Sequence, residues 1–421
     1  MTLRSSTLLL SLLLIALALG AHAARVADIF DQLKQERNGR SSRLNPLKAN
    51  DDDDDVDNVF QSWKSRNGKN YGSQENNRRK SIFQDNYKFM KQHNAKNLPW
   101  TVEMNELADL TLEEMIATRL AAKAPRTAST AQTDSSQSSG PKVMSTRPEK
   151  AESEGEPSTP LTGNSFPSFP SFPSMPDFEF PSFPNLFGSG TGSGSGSGST
   201  TSSLPKSVDW RDKGAVTTPK DQKNCGSCYT FAVAAALETL YKIKNNRLVT
   251  FSAQQILDCS EKVGNTGCNG GYIDMTMEYA VRDGLTTESG YAAYKAEKGT
   301  CTYVPARHSV FKPSSYKQVK QNDYKELQAA VAKGTVATTV NSSEREFYMY
   351  KSGVITANCS PQVDHSVAIV GYNTDAAIPY WIVKNCWGTS WGDGGYVKIA
   401  MGNHHNGAGL CGINQYNYLP S

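Results

Sequence analysis

Residues 118 to 203 set the first limit on what this chain can fold into. Ser, Thr, Pro and Gly dominate there, and the apolar spacing of helices and strands is lost. Inside lies SFPSFPSFPSMPDFEFPSFP, a three-residue Phe-Pro-Ser repeat. Proline at every third position removes backbone donors and favours polyproline II, so neither helix nor sheet is expected. GSGTGSGSGSGS follows, with the composition of a flexible tether. The stretch reads as a disordered linker; its repeated Phe residues leave docking as the alternative. The 421 residues are enough for two or three domains, and any packed core must form on either side of this break.

The N-terminal side has three parts. Residues 1–23 read as an export signal: Arg4, an apolar run from Leu8 to Leu19 broken by Ser11, then Ala21-His22-Ala23. That run is short for a bilayer, and no later segment is long and apolar enough to span one. The chain is therefore expected in the secretory pathway, lysosomal or extracellular, where disulfides form. Residues 24–55 form a polar spacer ending in Asp51 to Asp55, a solvated charge run. Residues 56–117 look helical, with Val59, Phe60 and Trp63 on one face. Ile82, Phe83, Asn86, Phe89, Met90 and Asn94 continue a helical spacing.

From Leu204 onward the composition turns globular. CYTFAVAAALETLYKIK reads as a buried helix, and Ser252 to Cys259 and Asp323 to Lys333 as shorter ones. VATTV, HSVAIVGY, YWIVKN and GYVKIAM are short and β-rich. Helices first and strands second predict an α+β domain over 204–421, an α-rich half packed on an antiparallel, barrel-like β half. Charge is nearly balanced, 44 Lys plus Arg against 41 Asp plus Glu, with no basic stripe, which argues against a nucleic-acid partner.

All eight cysteines lie in this last part. Two of them, Cys225 and Cys228 in QKNCGSCYTFA, form a Cys-x-x-Cys pair. Alone, that spacing fits a redox disulfide, half a zinc site, or something else. Cys228 opens the apolar helix, where unsatisfied amides and the helix dipole favour a thiolate. A nucleophile needs a base, and His365 heads the β-run of VDHSVAIVGY. Asn385, in WIVKNCWGTSWGDGGY, offers an amide oxygen that can fix the imidazole tautomer, with Trp387 and Trp391 placed to exclude water. Cys, His and Asn then form nucleophile, base and orienter. A thioredoxin-like oxidoreductase would want a strand before the pair and leaves His365 and Asn385 unexplained. A zinc site would want a second Cys/His pair at ligand spacing, which is absent.

With these residues in place, 204–421 resembles a papain-family, cathepsin L-like cysteine protease. The resemblance rests on QKNCGSCYTF, LDCS, GCNGGY, VDHSVAIVGY, KNCWGTSWGDGGY and LCGI, in order. It implies a cysteine endopeptidase without cofactor or metal, acting on peptide and protein substrates and meeting cystatin-like inhibitors. It implies that Cys228 attacks the peptide carbonyl, that His365 pairs with it and protonates the leaving amine, and that Asn385 orients His365. Gln222 joins the Cys228 amide in binding the oxyanion. Gly270 and Gly271 would pair with extended substrate, with Asp364 and Trp387 also in contact. Tyr272, Ile273, Thr339, Val363 and Tyr416 would line the main selectivity pocket, and Tyr416 at its floor favours medium aliphatic side chains over Arg. The implied disulfides are Cys225–Cys268, Cys259–Cys301 and Cys359–Cys411, leaving Cys228 and Cys386 outside them.

Residues 56–117 resemble the same family's inhibitory propeptide. Glu75, Arg79, Ile82, Phe83, Asn86 and Asn94 fit its E-x3-R-x2-I/V-F-x2-N-x3-I-x3-N pattern, with Met90 in the Ile place. A weakened second pattern shows as Glu103, Asn105, Leu107 and Asp109. The resemblance implies a segment that runs backwards through the cleft as an intramolecular inhibitor and loosens at low pH. A catalytically silent, ligand-binding relative is the rival reading, but such relatives commonly lose the cysteine kept here. No cysteine-closed, histidine-bearing insertion lies between Cys301 and His365, which favours endopeptidase over exopeptidase.

Four positions depart from the family. Lys223 stands where Gly is usual, and either narrows the cleft rim, attracts acidic groups, or is simply solvated. Tyr229 replaces Trp, Cys386 replaces Ser beside Asn385, and the linker is long. His404-His405 reads as a solvated loop rather than a metal site. Asn341-Ser-Ser fits the glycosylation pattern, whereas Asn358-Cys-Ser is disfavoured by its cysteine and by Pro361.

Overall fold

The computed structural model describes residues 56–119 and 204–421, so the expected signal, acidic spacer and nearly all of the linker lie outside the described residues. The N-terminal segment begins with α1 (Val56–Arg66) and α2 (Ser73–Asn94). Their aromatic positions close a small core of Phe60, Trp63, Phe83 and Tyr87, capped by Ala108. Polar side chains tie α2 to the segment C-terminal to it. Asn86 donates to the Ala108 carbonyl at 2.8 Å. Arg79 bridges Glu75 within α2 to Glu114 of α3 (Leu112–Arg119), 2.6 Å to each.

The helical reading of 56–117 fails over 95–111. Pro99 lacks an N–H and stops helix propagation, and the chain becomes strand β1 (Trp100–Val102). Asn94 clamps that strand from both sides, donating to the Val102 carbonyl and accepting from its amide, at 2.9 and 3.0 Å. The helical signal also runs two residues past the expected start of the linker, to Arg119.

β1 adds antiparallel to the edge strand β5 (Tyr350–Ile355) of the C-terminal domain, Trp100 opposite Gly353. Gly353 has φ +91°, and a Cβ there would strike the Pro99 carbonyl and the Trp100 backbone. A glycine is needed for the two chains to approach. Trp100, Val102, Leu107 and Met115 then join the main core of the C-terminal domain.

In that domain α4 (Cys228–Asn245), α5 (Ala253–Cys259) and α6 (Ile273–Asp283) form the α-rich half. Their core contains Tyr229, Leu237, Ile256 and Met277. Ser252 caps α5, accepting the Gln255 amide, and Asp323 caps α8 (Tyr324–Val331). α6 is an addition to the helices expected from sequence; Ile273, Met277 and Ala280 carry its buried stripe. Short turns α7 (Pro305–His308) and α9 (Arg345–Tyr348) complete the helices described.

The β half uses β4 (Val336–Val340), β6 (His365–Asn373), β7 (Tyr380–Lys384), β8 (Tyr396–Ala400) and β9 (Asn417–Pro420). With β3 (Tyr316–Gln318) the sheet order is β1-β5-β8-β7-β6-β4-β9-β3, and β2 (Ser207–Asp209) pairs with β6. The antiparallel expectation has one exception. β5 pairs parallel with β8, Val354 opposite Lys398, because the chain leaves β5 by a crossover instead of a hairpin. Three disulfides, Cys225–Cys268, Cys259–Cys301 and Cys359–Cys411, pin the loops. No described helix is long and apolar enough to cross a membrane.

Candidate active site

α4 is apolar along most of its length and largely buried, so its N-terminus is fixed by packing. Cys228 is its first residue and is fully buried. Ser227 takes the N-cap position without capping, its hydroxyl sharing a 2.6 Å hydrogen bond with the Tyr294 hydroxyl. The helix dipole therefore meets Cys228 with no capping oxygen in between. The loop before it is held by the Cys225–Cys268 bond and by the Gly226 amide on the Cys268 carbonyl at 2.9 Å.

His365 opens β6 and pairs with Val340 of β4. Its Nε2 lies 2.8 Å from Asn385 Oδ1, and its ring packs tilted by 31° against Trp387, centroids 4.8 Å apart. Asn385 Oδ1 also accepts the Cys386 amide at 2.8 Å, which sets which amide atom is oxygen. The oxygen accepts, so Nε2 carries the proton and Nδ1 keeps its lone pair. Nδ1 is buried with no hydrogen-bond partner among the described residues. The imidazole pKa falls to about 4: burial disfavours the cation, the Asn385 bond opposes that, and the positive Arg119 adds to the lowering.

Gln222 is fully buried. Its Oε1 accepts from the Cys386 thiol at 3.0 Å and from Trp387 Nε1 at 3.1 Å. That fixes the amide, whose Nε2 donates to the Cys225 carbonyl at 2.8 Å and to the Arg119 carbonyl at 3.0 Å. A peptide carbonyl of the N-terminal segment thus occupies the side-chain donor of Gln222. Arg119 itself is buried, with Nη1 3.3 Å from Asp221.

The remaining expected residues fare differently. Gly270 spends its amide on Gly267 and its carbonyl on Thr266. A Cβ on Gly271 would meet Asn265 Oδ1 at 2.5 Å and Tyr229 at 2.9 Å, so packing requires a glycine there. Tyr272 donates its amide to Asn265, Ile273 opens α6, and Thr339 is buried in β4. Val363 and Tyr416 are half-buried. Asp364 accepts from the amide and hydroxyl of Ser342, and its burial raises the pKa. Trp387 and Trp391 are fully buried behind the site.

The buried Cys386 thiol, by donating to Oε1, orients the Gln222 amide. Lys223 is held by Asp221, amide to Oδ1 at 2.8 Å and Nζ to Oδ2 at 2.6 Å. Arg119 and Asp221 escape a reading of the sequence, because neither belongs to a motif. His405 Nε2 donates to the Cys359 carbonyl, 3.1 Å away. No group of His, Cys, Asp and Glu among the described residues is arranged to hold a metal. Asn341 is buried and donates to the Gln362 carbonyl at 2.7 Å, so it is not a free glycosylation site.

Comparison with known proteins places this geometry in context. Residues 204–421 match the papain family cysteine protease domain, and 60–115 the cathepsin propeptide inhibitor domain (I29). Over 213 residues the chain is 45% identical to cysteine endopeptidase RepA of Oryza sativa subsp. japonica, covering 50% of this chain and 56% of that one. Over 358 residues it is 31% identical to cysteine proteinase RD21A of Arabidopsis thaliana, covering 84% and 64%. The match therefore spans less than two thirds of the length of these relatives. The structure of a recombinant stem bromelain precursor superposes with TM-score 0.65 at 28% identity, covering 87% of this chain and 99% of that one.

Proposed function

The chain belongs to the papain family of cysteine proteases, and from that premise we propose that it is the latent precursor of a cysteine endopeptidase. The observation that carries the reading is the Arg119 carbonyl on Gln222 Nε2, beside a His365–Asn385 pair. The N-terminal segment holds the oxyanion donor as a substrate would, and burial, with a smaller contribution from the Arg119 guanidinium, keeps the imidazole neutral. Release of that segment removes the nearby cation and opens the site to water.

Catalysis then proceeds with side chains and water. The proton of Cys228 passes to His365 Nδ1, whose lone pair is available because Asn385 holds the proton on Nε2. The thiolate attacks the peptide carbonyl, and the developing oxyanion takes the place of the Arg119 carbonyl. Gln222 Nε2 and the Cys228 amide bind it; one such donor contributes about 3 kcal/mol to the transition state. His365 gives its proton to the leaving amine, which departs and leaves a thioester. Water, deprotonated by His365, attacks the thioester, and the acid product leaves with Cys228 restored.

Extended substrate is proposed to lie along Gly271, with one side chain in a pocket bounded by Tyr272, Ile273, Thr339, Val363 and Tyr416. Asp364 and Trp387 flank the other side of His365. Three disulfides support folding in an oxidising, secretory compartment. A silent binding role has no observation in its favour, since Gln222, Cys228, His365 and Asn385 are all present.

The test uses the purified precursor. Acidification should release activity on a fluorogenic peptide and labelling of Cys228 by an epoxide probe, both absent in Cys228→Ala. A correctly processed protein that takes no label would refute the reading.

A further inference from the structure

We propose that Asp221 forms an acidic subsite on the leaving-group side of the scissile bond, and that the mature enzyme selects a basic side chain there. The proposal rests on the peptidase reading above.

The loop that ends at Cys228 is strung between two walls. At its near end the Gly388 amide donates to the Lys220 carbonyl at 2.9 Å and the Gln222 amide to the Cys386 carbonyl at 2.8 Å. Asp221 forms an isolated β-bridge with Trp387 between them. At its far end Gly226 and Cys225 are fixed to Cys268, next to Gly271. Asp221 therefore stands on the wall of Trp387 and His365, and Gly271 on the other. His365 hands its proton to the leaving amine, so the leaving half of the substrate lies on the Asp221 side.

In the precursor this subsite is filled. One residue, Arg119, gives its carbonyl to Gln222 Nε2 at 3.0 Å and its guanidinium to Asp221 at 3.3 Å. A backbone lying at the reacting position therefore places an arginine side chain on Asp221. The Arg119 side chain is 9% exposed and that of Asp221 19%, so the pair is well shielded. Arg119 reaches Asp221 through Nη1, while its Nε is buried without a partner. A substrate arginine running in the productive direction can present its fork to both carboxylate oxygens.

Lys223 completes the device. It has φ +54°, which a lysine rarely adopts, and the Asp221 carboxylate holds it there by accepting its amide. Its ammonium lies 2.6 Å from Asp221 but the side chain is 65% exposed. It is a solvated counter-ion that orients the carboxylate when the subsite is empty and shares it with an incoming cation. Burial shields the Arg119 pair more than the Lys223 pair, so displacement by a substrate guanidinium is favoured.

The processed enzyme is tested on quenched peptides that differ only in the first leaving-group residue: arginine, citrulline, which keeps the shape without the charge, or glutamate. The expected order of kcat/KM is arginine, citrulline, glutamate, with arginine ahead of citrulline by about threefold or more at low ionic strength. Asp221→Asn should collapse that ratio to near one, and Lys223→Gln should widen it. Equal rates for arginine and citrulline, or a preference that survives Asp221→Asn, overturn the subsite and leave the peptidase reading intact. Failure of the wild-type enzyme to cleave any of the peptides overturns both. If Asp221→Asn does not fold, Lys223→Gln decides, and an unchanged ratio overturns the proposal.

Discussion

Replacing Asn105 by alanine should unlatch the N-terminal segment without touching the catalytic groups. Asn105 Nδ2 donates to the Tyr348 carbonyl at 2.8 Å, across to the C-terminal domain, and its Oδ1 accepts the Leu107 amide at 3.0 Å. Both bonds are buried. Tyr348 keeps a second donor, Trp391 Nε1 at 3.0 Å, so losing the first costs only an ordinary net hydrogen bond, about 1 kcal/mol. The Leu107 amide loses its side-chain acceptor inside the main core, which costs about 1–3 kcal/mol while the segment is docked. Detachment returns that amide to water, so both losses weigh on the docked state alone. The sum, about 2–4 kcal/mol, raises the open fraction by about 30-fold or more. Cys228 is fully buried in the docked form, so its alkylation rate at neutral pH reports opening. Mass spectrometry of the Cys228 peptide would separate its labelling from that of Cys386. The bond from the Trp63 side chain, Nε1, to the Asn105 backbone carbonyl survives the change, so α1 keeps its anchor. A folded Asn105→Ala precursor whose Cys228 labels within about threefold of the wild-type rate would refute this reasoning.

Two further outcomes rest on other contacts. Glu114 titrates below its ordinary range: burial alone would raise it, and bonds from Arg79, the Thr111 amide and Arg78 outweigh that. A lowered carboxylate stabilises the fold of the N-terminal segment itself, fully above its unfolded value of 4.5 and less as pH falls through the lower folded value, so acid should loosen that segment and with it the cover over Cys228. Glu114→Gln should label at Cys228 faster at neutral pH and lose much of this acid dependence; superimposable pH profiles would count against the latch. For the processed enzyme, Cys386→Ala should lower kcat/KM about two- to fivefold by freeing one side of the Gln222 amide, because a thiol is a weak donor. Cys386→Ser, which keeps a donor, should restore the rate, and equal loss in both variants would exclude an orienting role.

Acid does not act through His365 itself in this scheme. The buried imidazole is neutral beside Arg119, and on release it gains a proton that Cys228 gives up. That transfer is proton-neutral overall, so the pH dependence of opening falls on carboxylates such as Glu114. Glu103 opposes them: its burial raises the pKa although Lys351 pairs with it, so protonation there favours the docked state.

Much of this protein was readable along the chain because the signals are local. The start of an apolar helix at Cys228, the spacing of Glu75, Arg79, Asn86 and Asn94, and the short β-rich runs of β4 and β6 to β8 each depend on near neighbours. Periodicity encodes which face is buried, and the helix end encodes where a thiolate is favoured. The tertiary structure decided everything that depends on two distant segments meeting. Only it turned 95–111 from helix to loop around the added strand Trp100–Val102, placed that strand on Gly353, and ran β5 parallel to β8. It engaged the backbone of Gly270 and the side chain of Asn341 in hydrogen bonds within the protein. It brought Arg119, more than a hundred residues away in sequence, onto Gln222 and Asp221. No local pattern specifies such a contact, because its free energy comes from burial and charge pairing that exist only once both partners are folded.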